Sequence, residues 1–128
     1  MKSDDLTTTL DISIDEADER VRAALAAEGF GVLTEIDVQA TLREKLDVER
    51  TPYRILGACN PPLAHRSLTI DPDIGLLLPC NVVLQDVEGT TQVSVVDPSL
   101  MATATDIAEL ADVAAEARER LVRVVAAL

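Results

Sequence analysis

Tyr53–Leu84 reads YRILGACNPPLAHRSLTIDPDIGLLLPCNVVL. It holds both cysteines, the only histidine, the only tyrosine and four of the six prolines, so any site chemistry in this chain draws largely on it. Tyr53 to Cys59 reads as a strand. Asn60 is a good N-cap and Pro61 is tolerated in the first helical turn, which predicts a helix through about Thr69, stopped by Asp71-Pro72-Asp73. Leu76 to Gln85 then reads as one apolar strand. Pro79 interrupts it, cannot donate a ladder hydrogen bond, and so implies a bulge or an edge.

Downstream, Glu88-Gly89 is a hairpin turn and Thr91 to Val96 the returning strand. After Asp97-Pro98, Asp106 and Glu109 offer a cap to a long helix in which Ile107, Leu110, Ala111, Ala114, Leu121, Val124, Val125 and Leu128 keep helical spacing. Upstream, Leu6, Thr8, Leu10, Ile12 and Ile14 alternate as in a half-buried strand, and Ser13 with Glu16 makes a capping box. Ala17, Val21, Ala24 and Leu25 form the apolar stripe of a first helix to about Glu28, with Gly29 able to close it in the left-handed conformation. Phe30, Val32, Thr34, Ile36 and Val38 alternate again. Asp37 caps a brief helix carrying Val38, Leu42 and Leu46, which Glu49-Arg50-Thr51-Pro52 ends. The order is β-α-β-α-β-α-β-β-α, an α+β chain read as one domain over 1–128.

A hydrophobic fraction of 48% is ample for a core, but only 2% is aromatic, so burial rests on Leu, Val, Ile and Ala, and stacking on bases is disfavoured. The formal charge of −12, spread along the chain, repels phosphate backbones and anionic lipid heads, which argues against nucleic acid and membrane surfaces as partners. Lys2 and Lys45 are the only lysines. Such a surface suits a high-salt cytoplasm, and a high-GC genome would produce the same bias. No apolar run has the length of a signal peptide core or a membrane span, so the expected location is cytoplasmic, with Cys59 and Cys80 as thiols.

Two Cys-Asn pairs mark the candidate site. Cys59-Asn60 closes a strand at a helix start, where free N–H groups and the helix dipole favour an anion and lower a thiol pKa. Cys80-Asn81 follows Pro79. His65 lies about one turn into the helix, next to Arg66. The plain alternatives are two cysteines acting as small hydrophobes, a surface histidine, Asn60 as a helix cap, Asn81 as a buried polar side chain, and Arg54 and Arg66 as ion-pair partners. A zinc site from Cys59, His65 and Cys80 lacks a fourth ligand and the short paired spacing of zinc motifs, so no metal is expected and no cofactor can be named. No Gly-rich phosphate loop or serine elbow occurs.

The segments ILGACNP and GLLLPCNV, with GFGVLTEIDVQATLREKL before them and VSVVDP after, resemble the domain-of-unknown-function family 302 over nearly the whole chain. The signature falls on Gly57, Ala58, Cys59, Asn60 and Pro61, and on Leu78, Pro79, Cys80 and Asn81. The resemblance implies a small α+β fold with helices on a mixed sheet, and a dimer, and it brings no catalytic role. The leading expectation is a homodimeric binding or interaction module for a small anionic or metal-associated ligand, with Cys59, Asn60, His65, Cys80 and Asn81 around the pocket. A cysteine-based redox or thiol-transfer enzyme and a purely structural homodimer are the alternatives.

Overall fold

The computed structural model describes residues 2–128. After a single 3₁₀ turn at Asp4–Leu6 come β1 (Thr7–Leu10), α1 (Ile14–Ala27), β2 (Gly31–Asp37), α2 (Val38–Leu46), β3 (Tyr53–Cys59) and α3 (Pro61–Ile70). A second 3₁₀ segment, Pro72–Leu77, leads to β4 (Cys80–Val87), β5 (Thr90–Val95), α4 (Leu100–Thr105) and α5 (Ala108–Ala126). The expected order holds, with α4 as an added short helix.

Local chemistry explains most of these boundaries. Ser13 Oγ accepts from the Glu16 N–H, Asp37 Oδ1 from Ala40, and Asn60 Oδ1 from Leu63, so three of the four expected caps are made. Gly29, at φ +84°, closes α1 while the Phe30 N–H bonds back to Leu25 O. Glu88 and Gly89 both have positive φ, as the twist-matched two-residue hairpin turn requires. At the start of α5 the expected cap is absent. Asp106, at φ +57°, instead closes α4 in the left-handed conformation, and Ile107 stands at the N-cap without a side-chain bond.

The strands form one sheet in the order β1-β5-β4-β3-β2. Every neighbouring pair is antiparallel, so the sheet is not the mixed one that the resemblance implied. β1 and β2 do run the same way around α1, but three strands separate them at opposite edges. Between β2 and β3, nine helical residues rise about 14 Å, Asp47 turns the chain in the left-handed conformation, and 48–52 return it to the same end of the sheet, which makes those two antiparallel.

Two further boundaries differ from expectation. Leu76 and Leu77 end a 3₁₀ segment, so β4 starts only at Cys80, with Pro79 ahead of it after a cis bond to Leu78. The sheet's irregularity lies in β2, between Val32 and Thr34, and not at Pro79.

One face of the sheet carries the core. Leu10, Leu56, Ala58, Val82, Leu84, Val93 and Val95 meet Val21 and Leu25 of α1 and Leu121, Val124 and Val125 of α5, with Leu6 and Phe30 closing the ends. Fully burying each such aliphatic side chain contributes about 1.5–3 kcal/mol. The other half of α5 leaves the sheet: Leu110 and Ala114 pack with Ile74 and Met101, and Val113 and Ala117 with Leu63 of α3. Charges sit on the rim. Arg54 reaches Asp15 and Asp18, Arg22 also holds Asp18, and Arg118 joins Asp5 to Asp97 across the N-terminal turn and the loop before α4. Arg66 pairs with Glu116, so both arginines weighed as ion-pair partners are such. Hydrogen bonds that Arg54 donates to Asp15, and then to Asp18, hold it more firmly protonated.

Candidate functional site

Register places the two signature segments side by side. Ala58 lies opposite Cys80 and Gly57 opposite Asn81, so the end of β3 and the start of β4 form one corner of the sheet. Cys59 and Cys80 are both free thiols there, partly buried, and they line a small apolar cavity of about 30 Å³ with Asn60, Leu63, Pro79 and Met101. That is room for about one water molecule. Burial, and secondarily the neighbouring Cys59, pushes the Cys80 thiol up to about 11.

The helix start beside this corner is not an anion site. Pro61 and Pro62 have no N–H, the Leu63 N–H is taken by Asn60 Oδ1, and the Ala64 N–H by Asn60 O. The donors that usually make a helix N-terminus attractive to anions are therefore missing or occupied. Asn60 is buried at 7% exposure; it also donates from Nδ2 to Glu28 O, tying the α1 exit to the α3 entrance.

Two of the expected site residues lie elsewhere. His65 is exposed on α3, one residue beyond Ala64, which lines the cavity. Asn81 is exposed rather than buried, and points to the opposite face of the sheet from Cys80. Neighbouring strand residues always part in this way, and that signal was available in the sequence. Among the described residues no group of three or more His, Cys, Asp or Glu side chains is placed to hold a metal.

On the face to which Asn81 turns, a groove of about 550 Å³ runs between the sheet and α4. Lys2, Tyr53, Asn81, Val83, Ser94 and Leu100 line it. Of these, Tyr53, Asn81 and Val83 fall in the stretch singled out by sequence. Lys2, Ser94 and Leu100 lie outside it, Ser94 within the VSVVDP segment. Ser94 Oγ and its cross-strand neighbour Thr7 Oγ1 are buried hydroxyls with no hydrogen-bond partner among the described residues.

The whole face shares one property. Thr7 and Thr9 of β1, Gln92 and Ser94 of β5, Asn81, Val83 and Gln85 of β4, Tyr53, Ile55 and Gly57 of β3, and Thr34 and Ile36 of β2 fall in line by register. None is charged, in a chain where 27% of residues are. Glu35, Arg54 and Asp86 are all on the helix-bearing side.

Among the described residues no helix is long and apolar enough to cross a membrane. No curated protein matches the chain. The crystal structure of an uncharacterized conserved protein DUF302 from Bacillus stearothermophilus is similar, with 32% identity, 94% of each chain covered and a TM-score of 0.88. The sequence model of the domain of unknown function DUF302 matches residues 6–128. With that match spanning both signature segments and every strand and helix around them, the chain belongs to the DUF302 family.

Proposed function

We propose that this chain is a homodimeric binding module of the cytoplasm, in which two copies meet through the uncharged face of the sheet and a small ligand is held on that side of the molecule. The observation that carries the reading is the absence of charge from that face. Two copies at −12 each repel wherever their acidic surfaces approach, so an uncharged face is the place where they can meet. Its Thr, Ser, Gln and Asn side chains both donate and accept hydrogen bonds, which suits a two-fold contact between identical patches. Depletion of charge is also the compositional mark of an interface core. The free thiols fit a reducing compartment.

Light scattering on a sizing column tests the dimer. The wild type is expected at twice the 13.7 kDa chain mass. The double variant Ile55→Asp/Gln92→Asp, which puts two carboxylates on the face and touches no core residue, is expected at the chain mass with an unchanged circular dichroism spectrum. A wild type that stays at the single-chain mass, or a double variant that still pairs, removes the proposal.

The thiol-enzyme reading has less support, because a thiol raised to about 11 is protonated at neutral pH and the thiolate is the nucleophile. Each pKa unit is a factor of ten in thiolate fraction, so Cys80 in the folded chain should be alkylated about 100-fold more slowly at pH 8 than in the urea-unfolded chain. Peptide-resolved mass spectrometry of iodoacetamide labelling reads this, and equal rates would restore a reactive Cys80. The folded chain keeps this proton where the unfolded chain loses it, so the thiol's contribution to stability is full below the ordinary thiol range and is lost as pH rises towards about 11.

A further inference from the structure

We propose that the groove between the open sheet face and α4 is a binding site for a small carboxylate with an apolar body. Three observations converge on it. The volume of about 550 Å³ lies in the range of small-molecule sites. Four polar groups stand in its lining, the Lys2 ammonium, the Tyr53 hydroxyl, the Asn81 amide and Ser94 Oγ, and Ser94 Oγ is buried with no hydrogen-bond partner among the described residues. All four can donate, which is the complement of a carboxylate. Val83 and Leu100 supply apolar walls, Leu100 being 48% exposed as it stands.

The charge balance selects the ligand. Asp97 is the one carboxylate in the lining. Its partial burial would raise its pKa, but the Ser99 N–H and hydroxyl, and then Arg118, outweigh this and hold it below the usual range. It is therefore already satisfied by its own neighbours. Lys2 is left as the uncompensated charge, so a monoanion is favoured over a cation or a polyanion. The site is made from one chain's residues; a second copy over the same face would roof it and is not required for it.

The test is ligand-observed fluorine NMR with 6-fluoro-2-naphthoate and its carboxamide, on the untagged chain. Saturable binding of the acid is expected, about tenfold tighter than the amide, the scale of one charge-assisted hydrogen bond. Lys2→Gln and Asn81→Ala, both at exposed positions, should each weaken the acid about tenfold, while Lys45→Gln on α2 leaves it unchanged. No binding of the acid, equal binding of acid and amide, or indifference to Lys2→Gln and Asn81→Ala overturns the proposal. Light scattering on the same samples separates it from the dimer reading: a single-chain species that binds keeps the groove and removes the dimer, and a dimer that does not bind does the reverse.

Discussion

Gly57→Ala is expected to lower the unfolding free energy by about 1–3 kcal/mol, the range for an extra methyl forced into a packed site. A Cβ at position 57 would clash with Thr34 Oγ1 and stand 2.8 Å from Pro79 Cγ. Neither neighbour moves cheaply. Thr34 is β-branched and stiff about χ1, and Pro79 is fixed in a ring whose shift would drag the start of β4. An added Cβ also restricts the unfolded chain, which stabilises by about 0.4–1 kcal/mol, so the clash must exceed that gain to be seen. The measurement is the urea midpoint at unchanged slope. Thr34→Ala in the same chain should recover part of the loss, leaving the contact with Pro79, and a double-mutant cycle apportions the two. A Gly57→Ala midpoint equal to that of the wild type would show that β2 and Pro79 do not close over this position.

This contact changes how the signature segments are understood. In the sequence, Gly57 and Pro79 stand 22 positions apart in two motifs of unstated purpose. In the fold the proline ring lies against the bare Cα of the glycine, while Ala58 and Cys80 meet on the other side of the same strands. The motifs thus specify how β3 and β4 join at one corner.

What the sequence could not supply is order across the sheet. Alternation, caps and the Glu88-Gly89 turn are local and were legible from residues a few positions apart. That β1 and β2 end at opposite edges depends on which strands fit under α1 and α5, a property of the assembled core. The apolar run at Leu76–Leu78 misled for a related reason. Leu77 and Leu78 are partly buried against the Ile74–Met101 cluster beside α5, so they are apolar for a helix contact and not for a ladder. The candidate site divided for a simpler one. Cysteine, asparagine and histidine were gathered by their closeness in sequence, but a strand sends adjacent side chains to opposite faces and α3 turns His65 to solvent. The groove stayed hidden because Lys2 at one end of the chain and Ser94 and Leu100 near the other meet only in the fold.

Asn60→Ala should cost about 2 kcal/mol, towards the upper end for loss of an N-cap, and about 8 °C in Tm for a chain of this size. The reason lies in what remains when the amide is removed. Leu63 is buried, and its N–H would lose Asn60 Oδ1 at 3.2 Å. Pro61 and Pro62 leave α3 no other early N–H to cap, so the whole entrance of the helix depends on this one acceptor. The second bond, from Asn60 Nδ2 to Glu28 O at 3.4 Å, adds less, since the same carbonyl accepts from Arg120 Nη1 at 3.1 Å and keeps a partner. Asn60→Ser retains a short N-cap acceptor and should recover most of the loss, whereas Asn60→Leu should recover none. Had Asn60 been a ligand group, Ala would leave Tm near the wild-type value and alter only binding. A Tm for Asn60→Ala within about 2 °C of wild type would therefore count against the cap, and failure of Ser to rescue would count against the bond to Leu63 as its source.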